Sequence, residues 1–164
     1  MSKTNGQANI HTVTPDDPPF LFHRGDGYVR HRLPVGTKVI YPNAPLDPLP
    51  DRRAAIEYAI DHPLGTDPLD AHLRPGMKVT IAFDDVSLPL PRMKKPDIRQ
   101  SVMEVVLERL DRAGVTDIEL ICAICLHRRC TPAEIKHFVG PPIYRRFWPD
   151  RLYNHDAEEP QANP

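Results

Sequence analysis

Two short segments hold the residue types that carry chemistry. One is Asp84-Asp85-Val86-Ser87-Leu88-Pro89-Leu90-Pro91, and the other is Leu126-His127-Arg128-Arg129. Each follows an apolar run of strand-like composition, residues 77–83 and 118–125. In an open parallel sheet, ligands collect beyond the carboxyl ends of the strands. If these runs are neighbouring parallel strands, carboxylate, imidazole and guanidinium groups meet at one edge. A carboxylate of Asp84 or Asp85 beside His127 would orient the ring, and an imidazole can take a proton and return it near neutral pH. Arg128 or Arg129 could hold a carboxylate or phosphate through paired hydrogen bonds.

Each residue also has a plainer reading. Asp84 could simply satisfy backbone groups at a strand end. His127 could be a surface histidine before a helix, and one of the two arginines is expected to be solvated. Lys94-Lys95 reads as a solvated helix start. Zinc is a sharper competitor, because Cys122, Cys125, His127 and Cys130 spell C-x2-C-x-H-x2-C. Against it, residues three apart in a strand point to opposite faces, so Cys122 and Cys125 read better as inert thiols. His155-Asp156 is one further pair of possible ligands without context.

The elements that must position these groups read as follows. Residues 77–83 form a strand, and Pro96 suits the first turn of a helix. Ile98, Val102, Val105, Val106, Leu110 and Ala113 recur at helical spacing up to Gly114. Residues 118–125 form the next strand. A strand, helix and strand of this length make a βαβ crossover with parallel strands. Another helix opens at Thr131-Pro132-Ala133-Glu134, with cap, N1 proline and capping-box glutamate in place, and is expected to end at Gly140. Upstream, Asp51 caps a helix over residues 52–61. Residues 28–33 and 37–41 read as a hairpin around Pro34-Val35-Gly36. No closing element is evident near the end of the sequence.

The expected fold class is therefore α/β, a parallel-stranded βαβ core with helices on both faces, preceded by a short N-terminal β-hairpin. The expected divisions are a flexible lead-in over 1–22, one α/β domain over 23–156 and a tail over 157–164.

The composition narrows the function. The 164 residues suffice for one modest domain. With 21 basic and 22 acidic residues, nothing favours nucleic acid or an anionic membrane as partner. No apolar run approaches the roughly 18 residues of a membrane span. Three cysteines and a start without a signal-like apolar stretch point to a reduced, cytoplasmic protein. Twenty prolines force loops and extended connections.

Three landmarks, in order and similarly spaced, carry a family resemblance. His62-Pro63-Leu64-Gly65-Thr66-Asp67-Pro68-Leu69 resembles an N-P-I-G-S-x-x-L stretch. The loop from Asp84 to Pro91 resembles D-x-T-R-P-x-P. Residues 126–134 resemble F/L-H-R-x-x-T-x-x-E. Together they are similar to the N-terminal part of the nickel-dependent lactate racemase family, over about residues 25–156.

The resemblance implies a racemase or epimerase of small 2-hydroxy acids. Its cofactor would be a nickel pincer nucleotide, a pyridinium mononucleotide with two sulfur arms that bind nickel. In the family, hydride moves from substrate carbon to cofactor and back on the other face, with two histidines exchanging the proton. One of them maps to His127, and the loop aspartate maps to Asp85. Asp84, Asp85, Ser87 and Arg128 are the expected cofactor contacts, and no metal ligand is expected in this chain. The family's loop arginine aligns with Leu88, so either another arginine such as Arg92 or Arg128 replaces it or the substrate differs from lactate. The second histidine, the cofactor-bearing lysine and the nickel-binding histidine fall beyond residue 164. A C-terminal racemase domain or subunit is thus the expected partner, and the chain alone is expected neither to hold the cofactor nor to turn over. The competing expectation is a non-catalytic module that keeps the fold and binds a small carboxylate or a nucleotide. A zinc-binding structural protein is a third.

Overall fold

A computed structural model describes residues 9–25, 27–86 and 93–158. The chain divides into two compact units, residues 1–48 and 49–164.

In the first unit, β1 (Ile10–Thr12) and β2 (Phe20–Arg24) precede β3 (Gly27–His31) and β4 (Lys38–Ile40). The pairing is nested. β2 pairs antiparallel with β3, and β1 pairs antiparallel with β4. The two segments expected to form a hairpin with each other are thus both strands, but each pairs back to an earlier partner, β1 inside the expected lead-in and β2 across its end. Gly25, at φ +57°, lets the chain reverse between β2 and β3. Val13, the one buried residue among those described in this unit, is tied at its amide to Thr37 O and at its carbonyl to Gly36 N.

The second unit contains the core. Its elements are α1 (Arg52–Asp61), α2 (Leu69–His72), β5 (Lys78–Asp84), α3 (Ile98–Arg112), β6 (Asp117–Ala123), α4 (Pro132–Phe147) and β7 (Leu152–Asn154). Asp51 caps α1, accepting from Ala54 N at 2.9 Å. The sheet order is β5-β6-β7, all parallel, so a βαβ core is present as expected. β7 has no counterpart in the sequence expectations.

Both crossovers run the same way along the sheet. With right-handed connections, this puts α3 and α4 on one face. Ion pairs join this layer: Arg53–Glu108 and Arg109–Asp61 link α1 to α3, and Arg146–Asp111 links α3 to α4. Alternate strand residues point into it. Ile118, Leu120, Cys122 and Leu152 are fully buried, whereas Lys78, Thr80 and Ala82 are exposed on the opposite face.

The core is formed by those strand residues with Leu107 and Leu110 of α3 and Ile135, Phe138 and Val139 of α4. Each large side chain so buried contributes about 1.5–3 kcal/mol. Of the stripe the sequence suggested, Val105 and Leu110 are buried and Val106 and Ala113 pack against the core, whereas Ile98 and Val102 stay exposed and Met103 and Leu107 are buried in addition. The helix that opens at Thr131 ends at Gly140, as expected, and a second helical segment completes α4. The chain kinks there (φ 78°, ψ 158°) and resumes helix with Pro141 and Pro142 at the new start, where missing amides cost nothing. Among the described residues, no helix is long and apolar enough to cross a membrane.

Candidate functional site

The register decides what meets at the sheet edge. Asp84 pairs with Ala123, and Cys122 with Asn154, so all three strands end side by side. Asp85, the turn after β6 and residues 155–156 therefore leave from the same edge.

There, His127 Nδ1 lies 2.9 Å from Asp85 Oδ2. The Asp85 side chain is 8% exposed and that of His127 is 48% exposed. An ionised carboxylate only accepts, so Nδ1 carries the hydrogen and the neutral ring leaves Nε2 as a free acceptor. The ring is aimed by a tight turn in which His127 N donates to Ile124 O at 2.8 Å. Cys125 within that turn has φ +52°, a left-handed conformation uncommon for a side-chain-bearing residue. Such backbone is held by its surroundings, and it concentrates at sites.

The surroundings are specific. Asn154 grips the far end of the loop: its Oδ1 accepts from Cys130 N, and its Nδ2 donates to Cys130 O, both at 3.0 Å. Arg128 donates to both Glu134 oxygens at 3.0 and 2.7 Å. Glu134 also accepts from Thr131 N and Oγ1, closing the capping box of α4. The Arg128 guanidinium, aided by Thr131, lowers the Glu134 carboxyl to about 2. Arg129 pairs with Asp156. Ile124, Cys125, His127, Arg128, Arg129 and Asp156 line a depression of about 350 Å³.

Of the expected site residues, the fold joins Asp85 and His127 directly. Asp84 is exposed at the end of β5, beside them in sequence but without a bond to the ring. Arg128 stands at the rim with its guanidinium occupied by Glu134. Ser87, Leu88 and Arg92 lie outside the described residues. The segment 62–69 joins α1 to α2, and Leu64 in it is fully exposed.

The zinc-like spacing does not gather. Cys122 and Cys130 are buried with Sγ atoms 3.9 Å apart, Cys125 is exposed, and His127 faces Asp85. Among the described residues, no three His, Cys, Asp or Glu side chains come together as a metal site. Asn154, Asp97 and Arg99 escaped the sequence expectations. Asp97 and Arg99 were visible only as opposite charges two apart at the head of an apolar stripe.

No curated protein matches the chain. The family model described as the lactate racemase N-terminal domain matches residues 25–163, the span that includes both strands, both loops and the His127–Asp85 pair. The chain therefore belongs to the lactate racemase N-terminal domain family.

Proposed function

We propose that this domain supplies one proton-transfer side of a 2-hydroxy acid racemase or epimerase, with His127 as the proton acceptor and donor. One observation carries this reading: the half-exposed His127 ring is held by Asp85 through Nδ1 and lines the depression, and among the described residues Nε2 has no hydrogen-bond partner. In that role, Nε2 accepts the hydroxyl proton as the alcohol is oxidised and returns it as the carbonyl is reduced. Asp85 stabilises the imidazolium formed in between, and a positioned histidine of this kind contributes about 10²–10⁴-fold.

The resemblance assigns the family a nickel pincer nucleotide, which when bound supplies hydride acceptance and return. The resemblance places the nickel-binding histidine beyond residue 164, so no residue of this chain is assigned to the nickel itself. We assign Asp84, Asp85, Ser87 and Arg128 at most to the organic part of the cofactor. A C-terminal racemase domain, on the same or another polypeptide, would close the cleft over His127.

The test is co-expression with a C-terminal racemase domain and nickel cofactor, assayed on a panel of small 2-hydroxy acids. Racemisation of at least one acid is expected. His127→Ala should lower it by 10²-fold or more with an unchanged melting temperature. Absence of turnover in the cofactor-loaded enzyme, or turnover indifferent to His127→Ala, overturns the reading. Carboxylate binding without turnover would instead favour a binding module that keeps the fold.

A further inference from the structure

Asp97 and Arg99 form a buried ion pair at the head of α3. Asp97 is wholly buried and caps α3, accepting from Arg99 N at 2.9 Å. Its two oxygens also accept from Arg99 Nε at 2.9 Å and Nη2 at 2.8 Å, a bidentate pair. Arg99 is 8% exposed, and its guanidinium carbon lies 4.0 Å from the ring centroid of Phe138 in the core. The remaining nitrogen, Nη1, donates to Asp84 O and to Asp85 O, both at 3.0 Å.

Those two carbonyls belong to the two peptide planes that flank the Asp85 α-carbon. In a regular strand successive carbonyls point in opposite directions, so one nitrogen cannot reach both. Their convergence on Nη1 marks the end of the β5 pleat and fixes both planes, and with them the direction of the Asp85 Cα–Cβ bond. That bond carries the carboxylate to His127. A buried ion pair is weak evidence for stability, because desolvation offsets much of its attraction. Four of the five guanidinium N–H groups are nevertheless used here, two of them on the peptide planes either side of the Asp85 α-carbon.

We propose that Arg99, locked by Asp97 and stacked on Phe138, is the positioning residue that aims Asp85 at His127. Its value for turnover rests on the reading of His127 as proton carrier, but the aim itself can be measured without turnover. Lysine keeps the charge opposite Asp97 but lacks the planar fork needed for two carbonyls and a bidentate carboxylate together.

The experiment is ¹⁵N NMR of the His127 ring in the full chain, at a pH where the imidazole is neutral. The unaltered chain is expected to hold the hydrogen on Nδ1, because the Asp85 carboxylate biases the two tautomers by about tenfold or more. Arg99→Lys should lose most of that bias and approach the ratio measured for Asp85→Ala. The double variant Asp97→Asn with Arg99→Gln leaves no unpaired buried charge, and it decides the matter should Arg99→Lys fail to fold. It too should lose the bias. A folded variant with an unaltered tautomer ratio overturns the proposal and leaves Arg99 as a structural ion pair. Loss of the bias in Arg99→Lys with undiminished racemisation by the complete enzyme upholds the aiming role while removing the proton-carrier reading.

Discussion

Asn154→Ala is the sharpest probe of how the His127 loop is held. The Asn154 carboxamide forms two hydrogen bonds to the backbone of Cys130, and β7 places it there through the Cys122–Asn154 register. Alanine keeps the strand residue and removes both bonds. Each is worth about 1 kcal/mol net, and the part-buried amide and carbonyl of Cys130 lose their partners as well. The loss should therefore total about 2–3 kcal/mol. For a chain of this size, that lowers the melting temperature by about 4–12 °C. The local signature is stronger than the global one. Opening of the loop becomes easier by about thirtyfold or more, since 1.4 kcal/mol is tenfold, and amide exchange at Cys130 should accelerate accordingly. The Leu120 amide, bonded to Arg151 O at 2.8 Å in the sheet, should change only as much as global stability does. A loss under about 0.5 kcal/mol with unchanged exchange at Cys130 would mean that the loop is fixed by something other than this clasp.

Two further outcomes are expected. Gly140→Ala should cost about 1–3 kcal/mol in urea unfolding, because φ 78° and ψ 158° is a region essentially reserved for glycine. The new Cβ would also meet the flexible end of Gln100, which can move aside, so adding Gln100→Ala should recover little. Glu134, lowered in the folded state from 4.5 to about 2 by Arg128 and Thr131, should make stability pH-dependent. The unfolded chain binds the extra proton between those values, so stability rises with pH there. The gain over Glu134→Gln should be fully present above about pH 4.5 and fade as pH falls through about 2, as followed by thermal melts across that range.

The parts of the fold legible in the sequence are those stabilised locally. The β5-α3-β6 unit announces itself through two apolar runs and the punctuation of Pro96 and Gly114. Thr131 and Glu134 announce the start of α4. What remained hidden depends on distant partners. β7 is three residues, Leu-Tyr-Asn, and is a strand only because β6 offers it an edge. β1 and β2 lie among prolines and show no alternation, and their strand character comes from β4 and β3. The α3 stripe was legible at Val105, Val106, Leu110 and Ala113 but not at its start, because both sides of the helix carry apolar residues. Only packing selects Met103 and Leu107 over Ile98 and Val102.

The same division runs through the site. Asp85 and His127 were legible because a general rule of parallel sheets brings strand ends together, whatever the details of packing. Their partners were not, since Arg99 in a sequence reads as one more charge on a solvated helix face. Its position gives it away only once the helix phase is known: Arg99, Met103, Leu107 and Leu110 form one continuous buried stripe, with the arginine at its head. A charge at that place must find full pairing or unfold the helix start, because an unpaired buried ion costs several kcal/mol. Asp97 supplies the counter-charge, and the surplus hydrogens then have only the end of β5 to donate to. The placement of the carboxylate that holds His127 thus follows from how a buried cation is satisfied. That link joins helix phase to site geometry, and the His127 tautomer reads it directly.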